Sequence, residues 1–144
     1  MFSKACEYGI KAIIYIATQS LENRRVKIGD VANHSGSPEA FTAKILGTLT
    51  KHRIVRSVKG PYGGFEIDVG RMKHMKVSEI VYAIDGDSIY KGCALGLDRC
   101  NAAEPCPMHD HFFSIRNELK KMLETTTVYD LATKLRSGAS ILVR

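Results

Sequence analysis

From Ser3 to about Leu21, Tyr8, Ala12, Ile13, Ile16 and Ala17 fall on one face at helical spacing, which predicts a core-facing helix. A shorter helix is predicted over Ile28 to His34, with Ile28, Val31 and Ala32 inward and a break at Ser35-Gly36. Ser37-Pro38 then opens a third helix, because a serine hydroxyl can satisfy free N–H groups of a first turn and proline is tolerated at the first helical position. Phe41, Ile45, Leu46 and Leu49 form its buried stripe, which leaves Glu39, Ala40, Thr42, Ala43, Lys44 and Thr48 toward solvent or a partner. The period then changes. Ile54 to Lys59 is β-branched and semi-alternating, Phe65 to Val69 alternates apolar with acidic, and Gly60-Pro61-Tyr62-Gly63-Gly64 joins them as a hairpin.

Helices followed by a two-stranded hairpin is the order of a winged helix-turn-helix, in which the third helix enters the major groove of DNA. Beyond it, Val77 to Asp85 predicts a fourth short helix ended at Gly86, and Asp87 to Pro107 has no sustained period. From His109 to Leu123 the residues Phe112, Ile115, Leu119 and Met122 recur close to a heptad seam. That helix lies beyond the winged unit, so its stripe requires a partner, most simply the same helix of a second chain. Thr127 and Asp130 have the spacing of a capping box for a last helix, whose apolar face is Val128, Leu131, Ala132 and Leu135. The predicted fold is mainly α with a small β-wing. A winged helix-turn-helix DNA-binding domain spans residues 1–86, a cysteine-bearing loop 87–108, and a long dimerisation helix with a C-terminal helix 109–144.

Composition narrows the classes. A chain of 144 residues, 44% apolar, can bury one core and is too short for a large multidomain enzyme. The longest apolar run, Ala12 to Ala17, cannot span a bilayer, so a cytoplasmic protein without a membrane partner is expected. Lys and Arg outnumber Asp and Glu by 21 to 15, and the excess is local: Ala40 to Phe65 holds no acid but contains Lys44, Lys51, His52, Arg53, Arg56 and Lys59. Such a face suits a polyanion. The expected DNA contacts are Ser37, Glu39, Ala40, Thr42, Ala43, Lys44 and Lys51 on or beside the third helix, and Arg56, Lys59, Gly60, Tyr62 and Gly63 in the wing. The glycine-rich turn matches neither nucleotide-binding pattern, since neither G-x-G-x-x-G nor G-x-x-x-x-G-K-[ST] is present and a strand follows it.

Of four cysteines, Cys6 stands alone and reads as an inert buried thiol, whereas Cys93, Cys100 and Cys106 cluster in the aperiodic loop. Soft thiolates at these intervals favour an iron–sulfur cluster; the alternative is an interaction module of the same fold, stabilised by zinc, which more often uses C-x2-C pairs, or metal-free and thiol-sensing. Three thiols leave one ligand to find, and His109 is the nearest candidate, with Glu7 or His111 behind it. His109-Asp110-His111 beside Cys106 comes with no nucleophile elbow, oxyanion device or C-x-x-C pair, so no enzyme is expected.

The order Glu7-Tyr8-Gly9-Ile10-Lys11-Ala12, Val31-Ala32, Val55 to Phe65 through the glycine-rich turn, Val77 to Ala83 and then three spaced cysteines resembles the IscR/NsrR family of bacterial winged-helix regulators over almost the whole chain. The resemblance implies a homodimer crossed by the long helix, binding to a palindromic double-stranded operator, and an iron–sulfur cluster reporting iron–sulfur status, nitric oxide or redox state. A two-iron cluster is preferred to a four-iron one. By the same resemblance His109 matches the histidine ligand of the IscR branch, and Glu7, given by the partner subunit, matches the carboxylate of the NsrR branch. The chain differs from the IscR branch in its first cysteine interval, six residues instead of five, and in having Ala43 where that branch has an acidic base-reading residue.

Overall fold

The computed structural model describes residues 1–143. Among these residues eight helices and one hairpin follow in the order α1 (Lys4–Leu21), α2 (Ile28–Ser35), α3 (Glu39–Lys51), β1 (Arg56–Val58), β2 (Gly64–Glu66), α4 (Val69–Met72), α5 (Val77–Asp85), α6 (Ser88–Lys91), α7 (His109–Thr125) and α8 (Val128–Arg136). The Ser3 hydroxyl caps α1 by accepting from the Cys6 N–H. This helix is the central post, packed by α2, α3, α5 and α8. Ile13, Ile16, Leu46 and Leu49 are fully buried around it, each contributing about 1.5–3 kcal/mol relative to exposure. Gly9 lets α5 come close: a Cβ there would lie 2.3 Å from Ile84 Cδ1.

The turn from α2 to α3 passes through Gly36 in the left-handed region at φ 71°. The start of α3 differs from the expectation. Pro38, not Ser37, occupies the N-cap, so Ser37 sits one residue too far out to cap and is itself buried, its hydroxyl donating to the Pro38 carbonyl at 3.3 Å. Thr42, expected on the outer face, is 2% exposed. Its hydroxyl donates to Pro38 O at 2.9 Å, satisfied inside the protein and unavailable to a base edge.

The hairpin is shorter than its sequence pattern. Arg56 pairs with Glu66, Ser57 with Phe65 and Val58 with Gly64, while Ile54, Val55 and Ile67 turn into the core instead of extending the strands. Asp68 ends β2 by capping α4, accepting from Arg71 N–H at 3.0 Å. Val26 adds a bridge beside the hairpin, exchanging hydrogen bonds with Phe65 at 3.1 and 2.8 Å.

The capping box of Thr127 and Asp130 forms as expected. Val128 and Ala132 of α8 join the core cluster that contains Ala12, Ile13 and Ile16 of α1, so the end of the 109–144 segment shares the core of the 1–86 segment. A second cluster of Cys6, Val77, Val81 and Leu123 seats α7 against α1 and α5. Among the described residues no helix is long and apolar enough to cross a membrane.

Candidate nucleic-acid interface and cysteine loop

On α3 the exposed positions are Glu39, Ala40, Ala43, Lys44, Gly47 and Lys51, which recur at three and four residues and so form one stripe. Ala40, Ala43 and Gly47 keep this stripe low, with open space where a Cβ on Gly47 would stand. Ser37 and Thr42 lie beneath it.

The wing follows α3 in the chain. Lys59, Gly60 and Tyr62 are exposed, Tyr62 to 89%, whereas Gly63 is buried in the turn. A Cβ on Gly63 would lie 2.0 Å from the Val58 carbonyl, so glycine is required for the hairpin to close. Three cations hold the hairpin. Lys27 Nζ donates to the carbonyls of Gly60 and Pro61, both at 3.3 Å; Arg25 Nε donates to Glu66 at 2.9 Å; and Arg56 Nε donates to the other oxygen of Glu66 at 2.9 Å. The Arg56 guanidinium, followed by Arg25, holds the Glu66 carboxyl below the usual carboxylate range. Beside the wing a cleft of about 690 Å³ is lined by Arg24, Arg25, Lys27, Arg56 and Tyr62. The sequence reading missed Arg24, Arg25 and Lys27, although the signal was present in the basic run Arg24-Arg25-Val26-Lys27 just before α2.

The second candidate site is the loop between α6 and α7. Cys93, Cys100 and Cys106 are half-buried, and His109, the first residue of α7, is 9% exposed. The donors stand in two pairs. Cys93 neighbours Cys106, and its thiol is held below the ordinary thiol range chiefly by the backbone N–H groups of Leu97 and Leu95. Cys100 Sγ lies 3.5 Å from His109 Nδ1, and His109 stacks on Phe113 with ring centres 6.1 Å apart. Among the described residues no three His, Cys, Asp or Glu side chains converge on one point as ligands of a single ion. His111 is exposed. Glu7 lies on α1, ion-paired with Lys4 at 3.2 Å. Cys6 is fully buried, and desolvation, reinforced by the Asp85 charge, pushes its thiol up to about 12.

A helix-turn-helix followed by a braced two-stranded wing defines a winged-helix regulator. The Rrf2 family, described as "Iron-dependent Transcriptional regulator", matches residues 2–134. The chain belongs to this family: it is a DNA-binding transcriptional regulator and not an enzyme. An Aquifex aeolicus protein named as an HTH-type transcriptional regulator is 29% identical over 133 residues, covering 91% of this chain and 90% of that one. The HTH-type transcriptional regulator IscR of Cronobacter sakazakii is 25% identical over 126 residues, covering 86% of this chain and 75% of its own. Among solved structures, the B. subtilis global cysteine regulator CymR superposes with a TM-score of 0.74 at 20% identity, over 92% of this chain and 96% of that one. T. potens IscR gives 0.73 at 17% identity, over 99% and 93%. Both structures share the fold.

Proposed function

We propose that this chain acts as a homodimer on a palindromic DNA operator and senses iron–sulfur, nitric oxide or redox status through a cluster held by Cys93, Cys100, Cys106 and His109. One observation carries the cluster: the four donors form two pairs, Cys93 with Cys106 and Cys100 with His109, in the loop that leads into α7. In a two-iron cluster each iron takes two protein ligands, whereas a structural zinc draws four donors to one point. The pairing therefore favours a two-iron cluster over zinc. When bound, the cluster supplies a redox-active centre that reacts with oxidants and nitric oxide, while His109 is held in place by its burial at the head of α7 and its stacking on Phe113.

On DNA, the low stripe of Glu39, Ala40, Ala43 and Lys44 suits close approach to base edges, and Lys51, Lys59 and the turn at Gly60 suit phosphates. The homodimer is supported by α7, which leaves Ile115 58% and Met122 49% exposed along the heptad seam.

A second reading is favoured by Cys93. A thiol held below its ordinary range next to a second cysteine can act as a metal-free thiol sensor. Anaerobic purification followed by absorption spectroscopy and iron and sulfide assays separates the two. Brown protein with about two irons and two sulfides per chain is expected. Colourless, iron-free protein with three reactive loop thiols would favour the thiol sensor.

A further inference from the structure

We infer that Arg116 is a positioning residue that clamps the cysteine loop to α7 and hydrogen-bonds the sulfur of Cys100. The inference rests on the reading of Cys93, Cys100, Cys106 and His109 as cluster donors. Arg116 Nη1 donates to the Gly92 carbonyl at 2.7 Å, immediately before Cys93, and Nη2 donates to Cys100 Sγ at 3.2 Å. One planar fork thus spans the segment from Gly92 to Cys100, which a single ammonium on a flexible stem cannot hold in the same way. His109, Phe113 and Arg116 lie at steps of four and three residues on one face of α7. Cys100 therefore meets two side chains of that face, His109 Nδ1 at 3.5 Å and Arg116 Nη2. The third guanidinium nitrogen, Nε, is buried and has no hydrogen-bond partner among the described residues. Half-burying a cation with one nitrogen unpaired is unfavourable, so apolar cover alone does not account for an arginine here; the two-point contact does. Ile115 of the exposed seam is the adjacent residue, so one turn of α7 carries both the loop anchor and the unpartnered apolar stripe.

A positive N–H donor at a ligating sulfur favours the more negative, reduced state of a cluster and so raises its potential. The test uses the full chain, with Arg116→Met, which keeps the stem and removes the fork, and Arg116→Lys, which keeps the charge alone. In metal-free protein, amide hydrogen exchange across residues 92–100 is expected to be several-fold faster in both variants, while exchange in α1 and α3 is unchanged. In cluster-loaded protein the midpoint potential is expected to fall in R116M and to recover in part in R116K, with several-fold faster iron loss to a chelator in R116M. Loop exchange and potential both unchanged in R116M would overturn the assignment. Should the wild type hold no iron, the cluster reading fails, and loop exchange alone decides the clamp. Should R116M not fold, Arg116→Gln, which keeps a donor without the charge, gives the same exchange measurement.

Discussion

Glu66 shows how one side chain sets the shape of the wing. It faces Arg56 across the strand pair, and its two oxygens are divided between Arg56 and Arg25. Because these cations depress its folded-state pKa, its contribution is present above the ordinary carboxylate pKa of about 4.3 and is lost as pH falls through the lower folded value. Pairs this accessible are worth about 1 kcal/mol or less. Amide exchange in the hairpin should therefore quicken as pH drops below about 4 after correction for intrinsic rates, and Glu66→Gln should remove that dependence. Parallel curves for the two proteins would show that another group titrates. The same pairing separates two residues expected to contact DNA. Arg56 is engaged by Glu66, whereas Lys59 is exposed and, among the described residues, in no ion pair. Lys59→Ala should weaken operator binding and flatten the salt dependence by about one unit of slope, and Arg56→Ala by less. Equal slopes for the two variants would mean that Arg56 leaves Glu66 when DNA binds.

Among the helices, α3 and α7 each present a face whose use depends on which residues are already spoken for. Phe112 and Leu119 of the heptad seam are half-buried, Leu119 against the cluster of Cys6, Val81 and Leu123, while Ile115 and Met122 stay exposed. Asp at both Ile115 and Met122 should therefore give folded monomers by sedimentation, whereas Leu119→Asp should destabilise the chain by setting a charge against the cluster of Cys6, Val81 and Leu123. A clean dimer from the Ile115 and Met122 double variant would place the interface elsewhere. Periodicity in the sequence located α1, α2, α5 and α8 because each buries apolar residues in one core, and α7 because its stripe is half-buried against a second cluster and otherwise open. It failed at Thr42, which sits with Ile45, Leu46 and Leu49 at the spacing of that stripe; its polar identity suggested solvent, but a hydroxyl can be buried when a carbonyl such as that of Pro38 accepts from it. Thr42→Val should accordingly cost roughly 1 kcal/mol of stability, the worth of one hydrogen bond, and leave base preference unchanged. The four-residue helices α4 and α6 were invisible because a single turn carries no period, and the brace by Arg25 and Lys27 because its partners lie in the wing, more than thirty residues along the chain.

Across the whole molecule, α7 links the proposed loop donors to α1, on which α3 packs: it begins at His109, carries the apolar seam, and buries Leu123 beside Cys6. The identity of the fourth ligand decides how this chain of contacts would be driven. His109 is already in position: it is 9% exposed, its Nδ1 is 3.5 Å from Cys100 Sγ, and its backbone N–H donates to the Cys106 carbonyl at 3.0 Å. An imidazole held in this way can meet a cluster on the loop with little movement of its own, and changes there act directly on the first turn of α7. Glu7 is partly exposed and ion-paired with Lys4 at 3.2 Å, so as a ligand from the partner subunit it would have to leave that ion pair and depend on dimer geometry. The surface pair is cheap to break, so the preference for His109 rests on its position beside Cys100 and not on the strength of the Lys4 contact. His109→Ala should change the visible spectrum of the anaerobically loaded protein and speed iron loss at least several-fold, while Glu7→Ala leaves both nearly unchanged. Dilution below the dimer dissociation constant supplies an independent reading. A cluster held within one chain should keep its spectrum as the dimer separates, whereas a cluster completed by Glu7 of the partner subunit should bleach in step with dissociation. A spectrum that follows dimer concentration and responds to Glu7→Ala but not to His109→Ala would move the fourth ligand across the interface.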